Sequence, residues 1–117
     1  MLPNQTEVIK RLSELSRLLD KATDEIAELD HDFVEKKAKF EKSYAMAFIE
    51  STGSMDLRKY EANLKCSDLK LEMELTEQVL RACKERINTL RAQISIGQSV
   101  SAALRTQFGA EATGQYT

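Results

Sequence analysis

Apolar and small residues recur at alternating steps of four and three along the second half of the chain. The series consists of Leu69, Met73, Thr76, Leu80, Cys83, Ile87, Leu90, Ile94, Gly97, Ser101, Leu104 and Phe108. This heptad spacing places all of these side chains on one face of a long helix. One helix in water cannot bury such a face, so the pattern predicts a partner helix.

A matching series near the N-terminus supplies that partner. It consists of Val8, Leu12, Leu15, Leu19, Ala22, Ile26, Leu29 and Phe33. Asn4 or Thr6 is suited to cap the helix that carries it. After Phe33 the apolar face is expected to continue through Lys37, Phe40, Tyr44 and Phe48, with consecutive steps of four that form a stutter. The first helix is therefore predicted over about 5–50.

The segment Ser51-Thr52-Gly53-Ser54 separates the two series. Gly53 suits the left-handed position after a helix, and Ser54 can cap a helix that begins at Met55. A turn this short makes the two long helices antiparallel neighbours. We therefore predict an all-α fold, a long antiparallel helical hairpin or coiled coil forming a single domain over 1–117, with helix two at about 55–96.

The C-terminal part of the second series is interrupted by Gly97. Residues 97–108 are expected to form a short amphipathic helix, either as a kinked continuation of helix two or as a separate element. Residues 109–117 have little to bury and are expected to be a mobile tail.

A second apolar stripe lies on a different face of helix two. It consists of Leu57, Leu64, Leu71, Leu75, Val79 and Ala82. A helix that is apolar on two sides needs two neighbours, and a copy of the same hairpin is the simplest second neighbour. The alternative is that these residues are ordinary scattered surface hydrophobics.

The composition agrees with long helices and with self-association. Of the 117 residues, 42% are hydrophobic and 31% are charged, with one Pro and no Trp. A two-helix hairpin buries less surface than a globular domain of this mass, so a homo-oligomer is expected. No apolar run approaches the roughly 20 residues that span a membrane, and no signal peptide is evident, so a cytoplasmic protein is expected.

Two cysteines, Cys66 and Cys83, lie 17 residues apart, and both are in register with the apolar series of the second half of the chain. Along a helix this separation is about 25 Å, too far for a disulfide within the chain. They are either small buried residues in a reducing compartment or, less simply, a disulfide between protomers or half of a metal site.

Catalytic chemistry has no support in the sequence. The single histidine, His31, lies in an acidic run, and no nucleophile and base arrangement or metal motif occurs. The turn at Gly53 can expose N–H groups to a phosphate, although such turns are common for structural reasons. We expect no enzyme activity, no metal and no cofactor.

Charge is distributed unevenly along the chain. Residues 1–35 contain four basic and nine acidic residues, whereas residues 36–70 contain eight basic and five acidic ones. In a hairpin the second group lies at the tip, and assembly multiplies it. Phe40, Tyr44, Phe48 and Tyr60 alternate with these cations, as in surfaces that bind single strands. The alternative is a solvated lysine face over an aromatic core. The basic residues are Lys36, Lys37, Lys39, Lys42, Arg58, Lys59, Lys65 and Lys70.

The order of these features resembles the UvsY recombination mediators of T-even-like phages. The similar segments are Lys36-Lys37-Ala38-Lys39, the turn at 51–54, Met55-Asp56-Leu57-Arg58-Lys59-Tyr60-Glu61, Ile87-Asn88-Thr89-Leu90-Arg91, Gly97-Gln98-Ser99-Val100 and Leu104-Arg105. They cover roughly 36–108 with few identities. One departure is that Lys42 is followed by Ser43 and Tyr44, where that family has alanine and arginine.

The resemblance implies a ring-forming, single-stranded DNA-binding mediator that helps to load a recombinase onto DNA covered by single-strand-binding protein. It implies DNA contacts at Lys36, Lys37, Lys39 and Lys42, to which the charge pattern adds Arg58 and Lys59. It also implies a role for the C-terminal segment, with Val100, Leu104 and Phe108, in joining protomers, and a phage or prophage protein in a bacterial host. The alternative function is a coiled-coil adaptor or inhibitor that binds another protein through the second stripe and no nucleic acid.

Overall fold

The computed structural model describes residues 4–114, with side chains described for residues 4–109. This part of the chain forms three helices, α1 (Gln5–Glu50), α2 (Met55–Lys65) and α3 (Ser67–Gly114). The all-α prediction is therefore confirmed, whereas homo-oligomer formation remains a prediction. Within the described part, no helix combines the length and the apolar character that crossing a membrane requires.

The start of α1 is fixed by a reciprocal cap. The Asn4 Oδ1 atom accepts a hydrogen bond from the Glu7 backbone N–H at 2.8 Å, and the Glu7 carboxylate accepts one from the Asn4 N–H at 3.3 Å. Two N–H groups that the first turn leaves without helical partners are thus satisfied. Of the two candidate caps, Asn4 is the residue that caps α1.

The connection between α1 and α2 consists of residues 51–54, where the turn was predicted. The buried Ser51 donates its hydroxyl hydrogen to the Ala47 carbonyl at 2.7 Å, which satisfies a carbonyl at the end of α1. Gly53 has φ +111°, a backbone conformation that favours glycine. The Ser54 hydroxyl then accepts from the Leu57 N–H and caps α2.

The second predicted helix, 55–96, is divided in the structure at Cys66, which has φ −104° and ψ 11°. The deviation is local, since the Cys66 N–H still donates to the Ala62 carbonyl at 3.0 Å and the Lys70 N–H donates to the Cys66 carbonyl at 2.9 Å. Next to the deviation, the Ser67 hydroxyl donates to the Leu64 carbonyl. Such side-chain bonds compete with regular helical hydrogen bonding, which accounts for the irregularity here.

Of the two alternatives for residues 97–108, the structure excludes the separate short helix, because α3 continues through Gly97 to Gly114. A Cβ atom at Gly97 would lie 2.6 Å from the Leu12 Cδ2 atom. The glycine therefore makes room for a side chain of α1 and does not end a helix. Residues 109–114 of the predicted mobile tail are helical, and residues 115–117, like Met1 to Pro3, lie outside the described residues.

The chain divides into two compact units. Unit 1 combines Met1–Asp24 with Glu85–Thr117, and its buried residues come from both long helices: Val8, Leu15, Ala22, Ile87 and Leu90. Unit 2 is Glu25–Lys84, a hairpin of α1, α2 and the start of α3 that buries Ala47, Ser51, Ala62, Cys66, Thr76, Leu80 and Cys83.

The two heptad series are confirmed as the inward faces of the helices. Every member of the N-terminal series is buried or half-buried. The same holds for the second series apart from Phe108, which is 73% exposed. The two heptad series therefore predict correctly which residues of the helices are buried, up to Leu104.

Candidate nucleic-acid interface

Four of the six residues proposed to contact DNA have exposed side chains: Lys37, Lys39, Lys42 and Lys59. Lys65 and Lys70, which belong to the same basic stretch, are also exposed. Among the residues that the structure describes, no ion pair joins any of these six lysines to a carboxylate. All six belong to unit 2, so their ammonium groups are accessible to an anionic ligand on this unit.

Lys36 has a different role from its neighbours. Its side chain is half-buried, and its Nζ atom donates to the Asp32 carboxylate at 3.3 Å and to the Thr76 hydroxyl at 3.1 Å. Thr76 is buried, so this bond ties α1 to α3 inside unit 2. The inward position expected for Lys37 is thus occupied by Lys36, because the stutter begins after Phe40 and not at Phe33.

Arg58 is also part of the packing. Its guanidinium carbon lies 5.8 Å from the centroid of the Phe48 ring, within range of a cation–π interaction. Its Nε atom is buried and has no hydrogen-bond partner among the described residues. The side chain is half-buried, so Arg58 presents less of its charge to solvent than the neighbouring Lys59 does.

Three of the four aromatic residues near the turn are core residues. Phe40, Tyr44 and Phe48 are partly buried and pack against the cluster of Ala47, Ala62 and Cys66. The Phe40 and Tyr44 rings are 6.0 Å apart between centroids. For these three residues the structure confirms the alternative of an aromatic core at the stutter. Tyr60 is 72% exposed and is the member of the set that a base could stack on.

The second stripe of helix two is uncovered in the single chain. Leu57, Leu64, Leu71, Leu75 and Val79 are each at least half exposed. These five large apolar side chains thus share one face of the predicted second helix that the chain itself does not cover. In unit 1, Val100 and Leu104 are half-buried and Phe108 is exposed, and Val100 lines an apolar groove together with Leu12, Leu15 and Ile96.

Two exposed apolar residues at the end of α1 do not belong to either apolar series predicted from the sequence. Met46 is 52% exposed and Ile49 is 76% exposed. Lys39, Lys42, Met46 and Ile49 follow one another at steps of three, four and three, which places them on one side of the helix. The spacing is present in the sequence, but two of its four members are lysines, so it does not form a series of apolar residues.

The remaining candidate groups have structural surroundings. Exposed His31 lies with its Nε2 atom 3.1 Å from a Glu35 carboxylate oxygen, within one helix turn. Cys66 and Cys83 are both buried and not joined in a disulfide. In the part of the chain that the structure describes, no group of three or more potential metal ligands occurs. At the turn, the Leu57 backbone N–H donates to the Ser54 hydroxyl, so this N–H is already engaged and does not face a phosphate.

No family model, no curated protein and no solved structure matches this chain. The resemblance to the UvsY mediators thus depends on the order of sequence features alone. The candidate interface that follows from the structure is narrower than the predicted one, since it consists of exposed lysines without Lys36, Arg58 and most of the aromatic set.

Proposed function

We propose that this protein is a homo-oligomeric single-stranded DNA-binding protein that acts as a recombination mediator and helps to load a recombinase onto DNA held by single-strand-binding protein. The DNA-binding part of this proposal is supported by the six exposed lysines of unit 2, for which the described part of the chain supplies no ion-pair partner. The mediator role is supported by the resemblance in sequence pattern.

Exposed, unpaired lysines favour phosphate binding because they need not break an existing ion pair to contact an anion. Each phosphate that a lysine neutralises releases counterions, so binding weakens as salt increases. Tyr60 offers one exposed ring beside Lys59 for stacking a base. Assembly supplies the remaining affinity, since several copies present their lysines to one strand.

A fluorescence anisotropy titration with a labelled single-stranded oligonucleotide tests DNA binding. With about four phosphates neutralised per chain, we expect affinity to fall about 50-fold between 50 and 200 mM salt. The double variant Lys37→Glu/Lys59→Glu is expected to bind at least about tenfold more weakly at low salt.

The matched control is Lys10→Glu/Lys21→Glu, which makes the same change in charge at exposed residues of unit 1. It is expected to bind like the unaltered protein. Absence of binding at low salt, or equal loss in both double variants, contradicts DNA binding by unit 2.

A second candidate function is supported by a separate observation. The uncovered stripe Leu57, Leu64 and Leu71, combined with the burial of three aromatic residues, also fits an adaptor that binds another protein and no nucleic acid. The variant Lys37→Glu/Lys59→Glu distinguishes the two functions, because it is expected to weaken DNA binding if the first is correct and to leave the binding of a protein partner unchanged if the second is correct.

A further inference from the structure

Unit 2 has two uncovered stripes that face away from each other. Ala47 of α1 and Ala62 of α2 belong to the same buried cluster, so these positions point toward the opposite helix. Ile49 and Leu64 each follow two residues later, about 200° around their helices. The stripe on α1 therefore points outward on one side of the hairpin, and the stripe on α2 and α3 points outward on the other.

We define the α1 outer stripe as Lys39, Lys42, Met46 and Ile49, and the α2–α3 outer stripe as Leu57, Leu64, Asp68 and Leu71. All eight residues are exposed. Neither Lys39, Lys42 nor Asp68 has an ion-pair partner among the described residues. The α1 outer stripe thus combines apolar side chains with two cations. The α2–α3 outer stripe combines apolar side chains with the Asp68 carboxylate, and the exposed Glu72 carboxylate lies at its edge.

The order of apolar and charged residues along the two stripes is complementary. Within the hairpin, Phe48 lies beside Arg58 and Lys36 lies beside Thr76. These two contacts show which residues of α1 lie at the same height along the hairpin as which residues of α2 and α3. By this measure Met46 and Ile49 are level with the leucines at 57–64, near the turn. Lys39 and Lys42 are level with the stretch around Asp68, further from the turn.

We propose that copies of unit 2 assemble side by side through a head-to-tail contact, in which two different surfaces pair. The α1 outer stripe of one copy packs on the α2–α3 outer stripe of the next copy. In a cyclic assembly whose axis runs along the hairpin, neighbouring copies stay level. Met46 and Ile49 then cover Leu57 and Leu64 of the next copy, while Lys39 and Lys42 lie against Asp68 and Glu72 of that copy. A two-fold pairing of the leucine stripe with itself would leave the α1 outer stripe uncovered.

This inference depends on the assembly part of the proposed function and not on DNA binding. It also divides the exposed lysines into two groups. Lys39 and Lys42 serve the contact between copies, whereas Lys37, Lys59, Lys65 and Lys70 stay available for phosphates. A contact of this kind closes into a ring when the rotation between copies divides a full turn, and otherwise continues as a filament.

Charge exchange tests the contact, with the molar mass of the full chain measured by light scattering in the absence of DNA. The unaltered chain is expected to have a mass of several copies at tens of micromolar. Both Lys39→Glu/Lys42→Glu and Asp68→Lys/Glu72→Lys are expected to raise the dissociation constant at least about tenfold. The quadruple variant that combines all four substitutions is expected to restore assembly.

The control is Lys37→Glu/Lys59→Glu, which is expected to lower DNA affinity and keep the assembled mass. Circular dichroism confirms that each variant is helical. Three results would overturn the head-to-tail contact: a monomeric unaltered chain, an unchanged mass after charge reversal, or a quadruple variant that stays dissociated. An unaltered chain that assembles but binds no single-stranded DNA would instead refute the proposed function alone.

A second measurement does not require altered residues. A zero-length carbodiimide cross-linker joins a lysine to a carboxylate only when they are in contact. Lys42 and Asp68 point away from each other within one hairpin, so a Lys42–Asp68 or Lys39–Asp68 cross-link, identified by mass spectrometry in the covalent dimer, supports the contact. Dimers cross-linked only at other residues contradict it.

Discussion

Replacement of Gly97 by alanine tests the close packing of α1 and α3 in unit 1. A Cβ atom at this position would lie 2.6 Å from the Leu12 Cδ2 atom and 3.3 Å from its Cγ atom. Carbon atoms at van der Waals contact are about 3.5–4.0 Å apart, so the Leu12 side chain must move. Leu12 is half-buried, and the end of its side chain has some freedom to do so.

Two opposing effects decide the size of the change in unfolding free energy. Alanine stabilises the interior of a helix by about 1 kcal/mol relative to glycine. Overpacking costs about 1–3 kcal/mol, and partial exposure of Leu12 places the cost in the lower half of this range. We therefore expect Gly97→Ala to be neutral or destabilising by up to about 1 kcal/mol.

The matched control is Gly109→Ala, also in α3, where an added Cβ atom would meet nothing within 4 Å. This change is expected to stabilise the protein by up to about 1 kcal/mol, because it gains helix propensity without a clash. The two alanine variants should therefore differ by about 1–2 kcal/mol.

Urea unfolding followed by far-ultraviolet circular dichroism measures this difference, with all variants at one protein concentration because assembly affects apparent stability. In a Leu12→Ala background the side chain that obstructs the Cβ atom is absent. The difference between the Gly97 and Gly109 variants should then fall to near zero. Equal stabilisation by the two alanine variants with Leu12 intact would refute the close-packing explanation of Gly97.

Three further predictions concern the turn and the lysines. Gly53→Ala is expected to destabilise the protein by about 1–2 kcal/mol in the same urea assay, since φ is +111° and the new Cβ would lie 2.8 Å from Leu57 Cδ2; an unchanged midpoint would contradict a strained turn. Ser54→Ala should cost about 1 kcal/mol by removing the cap of α2, and Ser54→Asp should retain most of the stability. Lys36→Met should cost about 1 kcal/mol by removing the bond to Thr76, yet change single-strand affinity less than Lys59→Met does in the anisotropy titration; the reverse order would assign Lys36 to DNA.

The candidate site could be predicted only in part from the sequence. The excess of lysines at 36–70 is a property of composition, and six of them are exposed. The inward positions of Lys36 and Arg58 depend on the exact angular position at which the stutter rotates α1 and on the fit of Arg58 against Phe48. The repeat of apolar residues does not fix the inward position to within one residue at a stutter, so the sequence pattern favours Lys37 where the structure has Lys36.

The sequence by itself determined the all-α class, the extent of α1, the two heptad series that face inward and the turn at 51–54. These features follow from local physics: the repeat of apolar residues along a helix, the hydrogen bonds of Asn4 and Ser54 at helix starts, and the backbone freedom of Gly53. Each can be recognised within a few residues of its position in the chain.

Only the tertiary structure decided the role of Gly97 and the separation of Lys36 from Lys37. Each of these depends on a residue far away in the sequence. Gly97 is understood through Leu12, and Lys36 through Thr76, because a glycine or a lysine has the same local signal whether or not another helix packs against it.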